Sequence, residues 1–282
     1  MSRRALRSTI LAAVAVALLC ATAALAAPLP EVQLPASSLH VDKFIPLSEM
    51  PLHKNVKVVL VVDPNAIYSN VSGFSGQAFA QGAASGGITR LVMDDLTFTT
   101  NPGVSNVTTI RFSVANLNAT SQSVRARIRF WNANGASLGA GLANAPGTYY
   151  APGGAGTEVG FSFNPFTFAP GVTTLTGNLG AGFAVPAGTT TTLWAGVTFD
   201  NVGTTTGATN TELSNFGQAM FNPVDLGSST DTLFETTAAG SFFTVSNPAG
   251  AALNFAGSPV ANDGWELVVT TLPVELIDVT VE

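Results

Sequence analysis

Between Val107 and Trp131 the chain alternates apolar and polar residues with a strict period of two. Ile110, Phe112 and Val114 alternate with Thr109, Arg111 and Ser113, and Val124, Ala126, Ile128 and Phe130 alternate with Arg125, Arg127 and Arg129. A period of two is the mark of a strand with one buried and one wet face. The stretch between the two runs, Asn116-Leu117-Asn118-Ala119-Thr120-Ser121-Gln122, is small and polar, as a hairpin turn requires. The spacing therefore predicts two paired strands, with Ile110, Phe112, Val114, Ala126, Ile128 and Phe130 buried and the arginines outside. On that register Ile128→Asp should cost several kcal/mol by burying an unpaired charge, and Arg127→Asp should be mild.

The same grammar recurs along the chain. Val56–Val62 reads as the first core strand. Ile88–Thr99 reads as another, with a bulge at Asp94-Asp95 to absorb a slip in its alternation. Val159–Phe168, Leu175–Val185 and Leu193–Phe199 follow, then shorter strands at Phe216–Met220, Thr232–Thr236, Phe242–Val245, Ala252–Phe255, Trp265–Thr271 and Val274–Val281. Turn signals such as Ala169-Pro170-Gly171, Pro186-Ala187-Gly188 and Asn247-Pro248-Ala249-Gly250 separate them. After residue 27 no helical face of any length appears. Strands at this pitch, with no helices between them, predict an all-β fold, an antiparallel β-sandwich of jelly-roll-like type. The domain is expected over residues 56–282. Residues 28–55, punctuated by Pro28, Pro30, Pro35, Pro46 and Pro51, read as an extended N-terminal arm or linker, either disordered or laid along the sandwich edge.

Residues 1–27 have the form of a signal peptide. Arg3, Arg4 and Arg7 precede the apolar run Ile10–Leu19, and Ala24-Leu25-Ala26 fits the small-x-small cleavage rule. The apolar run is too short for a stable transmembrane anchor. Both a general secretory signal and a twin-arginine signal are compatible with it. A lipid-attachment site at Cys20 is not, because Leu19 stands where a small residue is needed. Cys20 is the only cysteine, so the mature chain is expected to hold no disulfide. Removing the three signal arginines from the 11 basic residues leaves 8 against 17 acidic ones, a net charge of −9. Such a surface argues against nucleic acid as a partner.

Three stretches resemble a family. Ile88-Thr89-Arg90-Leu91-Val92-Met93-Asp94-Asp95-Leu96, Leu193-Trp194-Ala195-Gly196-Val197-Thr198-Phe199-Asp200-Asn201 and Asn254-Phe255-Ala256-Gly257-Ser258-Pro259-Val260-Ala261-Asn262 look like segments of uncharacterised bacterial exported proteins, many of which end in a PEP-CTERM sorting tail. The resemblance runs over most of residues 70–270. It implies a β-sandwich at the cell surface or in extracellular matrix, and no known reaction. The Pro-Glu-Pro tail signal itself is absent from this chain.

Chemistry-bearing residues are few. Nucleophilic catalysis usually needs a base beside the nucleophile, and the only histidines, His40 and His53, lie in the arm. Zinc sites of His/Cys type fail for the same reason. Asp94, Asp95, Asp200, Asp263 and Glu266 could supply the two carboxyls of a glycosidase, though carboxylates at strand ends and turns are the simpler reading. Asp200-Asn201 and Asn262-Asp263-Gly264 offer the hard oxygens that a calcium ion takes; no other cofactor is expected. The arginine stripe Arg125, Arg127 and Arg129, with Arg111 expected across from it, could grip an anionic polymer. The favoured alternative is a wet face neutralised by neighbouring acids. Tyr149 and Tyr150, in the long irregular region Asn132–Thr157, could stack on sugar rings or merely cap the sandwich. The tryptophans Trp131, Trp194 and Trp265 read as core or seam. The expectation is a secreted cell-surface or extracellular-matrix β-sandwich with a structural or adhesive role and no catalysis. A carbohydrate-binding module is the alternative and a glycoside hydrolase the third. Extracellular polysaccharide or other surface proteins are the partners implied, and the oligomeric state stays open.

Overall fold

A computed structural model of the chain describes residues 31–50, 60–84, 87–100, 105–147, 160–185, 190–201, 208–236, 250–255 and 261–270. Residues 1–27, read above as a signal peptide, Tyr149, Tyr150, His53, the Phe242–Val245 run and the Val274–Val281 run lie outside the described residues.

The fold is the expected all-β sandwich, two antiparallel-rich sheets that do not close into a barrel. The arm supplies β1 (Glu31–Leu34) and β2 (Leu39–Pro46). Then come β3 (Ala66–Ser69), β4 (Phe74–Ala80), the two-residue β5 (Ala83–Ala84) and β6 (Ile88–Thr89), and the long β7 (Leu91–Thr99). The alternating stretch forms β8 (Ser105–Asn116) and β9 (Gln122–Asn132). After these run β10 (Gly160–Phe163), β11 (Phe166–Phe168), β12 (Gly171–Val185) and β13 (Thr190–Asp200). A one-turn helix α1 (Asn210–Leu213), closed by a Thr209–Glu212 capping box, precedes β14 (Phe216–Phe221), β15 (Thr232–Thr236), β16 (Gly250–Asn254) and β17 (Trp265–Thr270).

The first sheet runs β1-β10-β9-β13-β7-β15-β16, with β11 added to β9 and the β5–β6 pair added to β13. The second runs β2-β12-β8-β14-β4, with β17 joining β8 to β3. From β7 onward the chain repeatedly crosses between sheets: β7 lies in the first, β8 in the second, β9 in the first, β12 in the second, β13 in the first and β14 in the second.

This crossing corrects the expected hairpin. β8 and β9 do not pair with each other. β8 pairs with β12, β14 and β17, and β9 with β10, β11 and β13. The polar connection is an arch over the end of the sandwich. Asn116 Nδ2 donates to the carbonyls of Thr120 (3.1 Å) and Phe168 (2.9 Å), and Asn118 Nδ2 donates to Asn116 Oδ1 (2.8 Å) and to the Glu212 carbonyl (3.0 Å). The predicted burial nevertheless holds, because a hairpin and an arch both turn the apolar sides of the two runs toward one core. Ile110, Phe112, Val114, Ala126, Ile128 and Phe130 all lie between the sheets, joined there by Leu193, Ala195, Val197 and Phe199 of β13 and by Trp265 and Leu267 of β17.

Two further expectations need correction. β7 pairs with β13 without a register shift through Asp94 and Asp95, so no bulge is present; the slip in alternation arises because both faces of the strand are covered. Of the Val56–Val62 run, residues 60–62 are not strand, and Val61 is 77% exposed. The arm takes the second of its two expected forms, laid along the sandwich edge: β1 lies parallel to β10 at one end of the first sheet, and β2 lies antiparallel to β12 at one end of the second.

A second apolar layer explains the buried outer face. Trp131, Trp194, Leu91, Met93 and Phe234 cluster on the far side of the first sheet, with Ala133, Leu138, Ala143 and Ala145 over them. Residues 132–147 thus form a packed cover. Trp194 Nε1 donates to the Asn144 carbonyl at 2.7 Å, and backbone bonds link Gly135 to Ala145 and Gly147 to Asn132. All three tryptophans are buried, as the sequence suggested.

Candidate functional site

The arginine stripe sits on the outer face of β9, and acids from both sides reach it. Asp200 of β13 stands directly opposite Arg125 and binds it through two bonds, Nε–Oδ1 at 3.0 Å and Nη2–Oδ2 at 2.7 Å. Glu31 of β1 grips Arg127 in the same forked way, at 2.7 and 2.6 Å, and its Oε1 lies 3.7 Å from Arg129 Nη2. Arg127 also reaches Asp200 at 3.3 Å. The face is therefore neutralised by its neighbours. Arg129 departs from the expected wet position, being only 3% exposed.

Arg111 does not lie across from the stripe. It belongs to β8, in the other sheet, and its guanidinium binds Asp42 of β2 and Glu266 of β17, both at 2.7 Å. Glu266 is fully buried and also accepts from Ser69 Oγ at 2.8 Å. Burial raises its pKa above the ordinary value, with the Ser69 bond and the Arg111 charge opposing.

The unusual chemistry lies elsewhere, where carboxyls from distant parts of the chain meet. Asp94 and Asp95 are neighbours in β7 and point to opposite faces. Asp94 shares the inner face with Val92 and Leu96, toward the second sheet. Its Oδ1 accepts from Ser229 Oγ at 2.9 Å and its Oδ2 from the backbone N–H of Asp263 at 2.8 Å. Asp95, on the outer side, accepts from the Thr230 N–H at 3.1 Å and from Thr230 Oγ1 at 2.8 Å, so it braces the segment entering β15. Asp263 lies just before β17 and bridges to Met220 of β14. Its side chain is fully buried, and neither carboxyl oxygen has a hydrogen-bond partner.

Neutral groups crowd the same place. Asn70 Nδ2 donates to the Asp263 carbonyl at 3.1 Å, while its Oδ1 has no partner. The Tyr68 hydroxyl, on β3, faces Ser229 without closing a hydrogen bond of good geometry. Ser229 Oγ is also 3.2 Å from Asn262 Oδ1. The electrostatic consequence is uniform. Burial first, then the charges of Asp263 and Asp95, hold the Asp94 carboxyl well above the usual carboxylate range. Burial raises Asp263 in the same direction and lifts Asp95 to about 6. The Tyr68 phenol is pushed up by burial and by the three aspartates.

The five carboxyls considered for glycosidase chemistry thus fall into three places. Asp94 and Asp263 meet between the sheets with Asp95 behind them on the outer side, linked through Ser229 Oγ; Asp200 serves the arginine stripe, and Glu266 serves Arg111. The two stretches considered for calcium part in the same way: Asp200 is turned onto arginines, and Asn262 and Asp263 face the buried cluster. Among the described residues no three His, Cys, Asp or Glu side chains are grouped to hold a metal ion. Sequence reasoning missed the partners Glu31 and Asp42, because an arm read as a linker is not searched for ion pairs. It missed Tyr68, Asn70 and Ser229 because nothing in their local sequence marks them.

Comparison of the chain with protein-family models, with curated proteins and with solved structures finds no match.

Proposed function

We propose that this chain is an exported bacterial protein of the cell surface or extracellular matrix, whose mature sandwich has a structural or adhesive role without catalysis. The signal-like residues 1–27 and the resemblance to exported proteins with sorting tails support the address. One observation carries the role: the charged residues that could do chemistry are spent within the sandwich. Arg111, Arg125 and Arg127 each hold a carboxylate at 2.7 Å or closer, and Asp94, Asp95, Asp200, Asp263 and Glu266 are all buried.

What faces outward instead is strand edge and apolar side chain. β1 and β2 end their sheets among the described residues, and Val32, Val41 and Phe44 on these strands are each about 40% exposed. Open edges with apolar side chains are surfaces for contact with other molecules.

The test has two arms. Residues 1–30 fused to a reporter should carry it out of the bacterial cytoplasm. Purified residues 28–282 should adhere to cell-envelope material and release no sugar from a panel of polysaccharides. Retention of the reporter inside the cell would overturn the address. Sugar release that is lost in Asp94→Asn would overturn the role.

A further inference from the structure

We propose that Asp94 and Asp263 form a proton-dependent clamp between the two sheets, in which one of the two carboxyls is held as the neutral acid at neutral pH. The geometry carries this. Asp94 belongs to β7 of the first sheet, and Asp263 sits between β14 and β17 of the second. The backbone bond from Asp263 N to Asp94 Oδ2, 2.8 Å long, spans 169 residues and ties the sheets at this point. Each Asp94 oxygen already accepts a bond, whereas Asp263 has none at either oxygen and no exposure to water. An ionised carboxylate in that position would be an uncompensated buried charge beside a second one, which proteins avoid by protonation.

Nothing cationic offsets it. The titratable and charged groups on the elements packed around the pair are Tyr68 on β3, Asp95 on β7, Arg111 on β8, Asp200 on β13, Asp225 and Asp231 on the segment before β15, Glu235 on β15 and Glu266 on β17. Asp225 accepts from the backbone of Val71 and Ser72, and Asp231 from the Ala261 N–H. Arg111 is spent on Glu266, Glu235 is held by Arg90 and Asp200 by Arg125, so none of these arginines reaches the pair. Among the described residues no ion pair reaches Asp94, Asp95 or Asp263.

The linkage has a definite sign. A carboxyl whose folded-state value is raised gives stability that is complete below the ordinary value of 3.8 and is lost as pH rises toward the folded value. Above that window both carboxyls ionise and the two sheets repel at the clamp. Folding therefore takes up a proton, and each proton so linked changes the folding constant about tenfold per pH unit.

Urea denaturation of the mature protein between pH 4 and pH 8 tests this. The wild type should lose stability as pH rises. Asp263→Asn, which keeps the size and removes the charge, should match the wild type near pH 4, exceed it at pH 8, and show a slope shallower by about one proton. Asp94→Asn is the second variant and should flatten the slope likewise. Parallel wild-type and variant curves would overturn the clamp. Should neither variant fold, infrared spectra of the wild type decide: a protonated-carboxyl carbonyl band at pH 7 supports the proposal, and its absence sinks it. Millimolar calcium chloride is the control. If it raises the wild-type melting temperature at pH 8 but not that of Asp263→Asn, the cluster holds a cation rather than a proton and the proposal falls.

Discussion

Arg127 shows how a residue placed on the correct face can still be misjudged. Its alternation puts it outside the core, yet it holds Glu31 by two bonds and touches Asp200, with its side chain only 14% exposed. Arg127→Asp would set a third acid against those two, so it should be costly rather than mild. Ile128→Asp remains worse, since Ile128 has no exposure at all. Melting temperatures should fall in the order wild type, Arg127→Asp, Ile128→Asp. Asp200 is the sharper case. It serves two arginines from a position 2% exposed, so Asp200→Ala leaves both guanidinium groups short of a partner. We expect a loss of about 3 kcal/mol in denaturant unfolding, the scale for breaking one side of a buried ion pair. A loss under about 1 kcal/mol would mark the pair as a weak surface contact.

Among the elements, β12 carries a fold-critical irregularity. Its register with β8 shifts between Asn178 and Phe183, and Gly182 at the shift has φ +64°. A Cβ there would stand 1.9 Å from the Val107 carbonyl oxygen. Gly182→Ala should therefore cost more than the roughly 1–2 kcal/mol of left-handed strain alone, because β8 must also move. The denaturation midpoint of the purified variant measures this directly. The arm makes a different prediction. β1 and β2 cover the edges of β10 and β12, so a chain starting at residue 47 would leave two sheet edges unpaired. Light scattering should show that truncated chain associating at concentrations where a chain of residues 28–282 does not. A monodisperse truncated chain would mean that the arm is dispensable decoration.

At the scale of the whole molecule, stability should tilt toward acid. Asp94, Asp95, Asp263 and Glu266 are all raised above their ordinary values, and each such group makes folding less favourable as pH climbs through its window. Glu212, lowered by its capping bonds to Thr209, works in the opposite sense but is exposed. Asp95 supplies the step that can be located, between its ordinary 3.8 and about 6. In Asp95→Asn the fall in urea midpoint over that interval should shrink. An unchanged fall would place the proton linkage on the other carboxyls.

The sequence by itself determined the fold class, the positions of β6–β17 and the buried faces of β8, β9 and β13, while β1–β5 went unread. Those depend on local periodicity: a residue's side of a strand is set by counting in twos, whatever lies beside it. Ile110 through Phe130 and Leu193 through Phe199 are inside for that reason. Pairing is different. The alternation in Val107–Trp131 is the same for a hairpin as for an arch between sheets, and only the competition for backbone partners along β12, β13, β14 and β17 decides between them. The covered outer face of the first sheet was hidden for a related reason, because its cover, residues 132–147, has no period of its own. The candidate site was half legible. Asp94-Asp95 and Asn262-Asp263-Gly264 stand out as oxygen-rich stretches, but each is unremarkable alone. Their meeting is a long-range event, made when β7 of one sheet is laid over β17 of the other, and the burial that raises their pKa values exists only once the sandwich has closed.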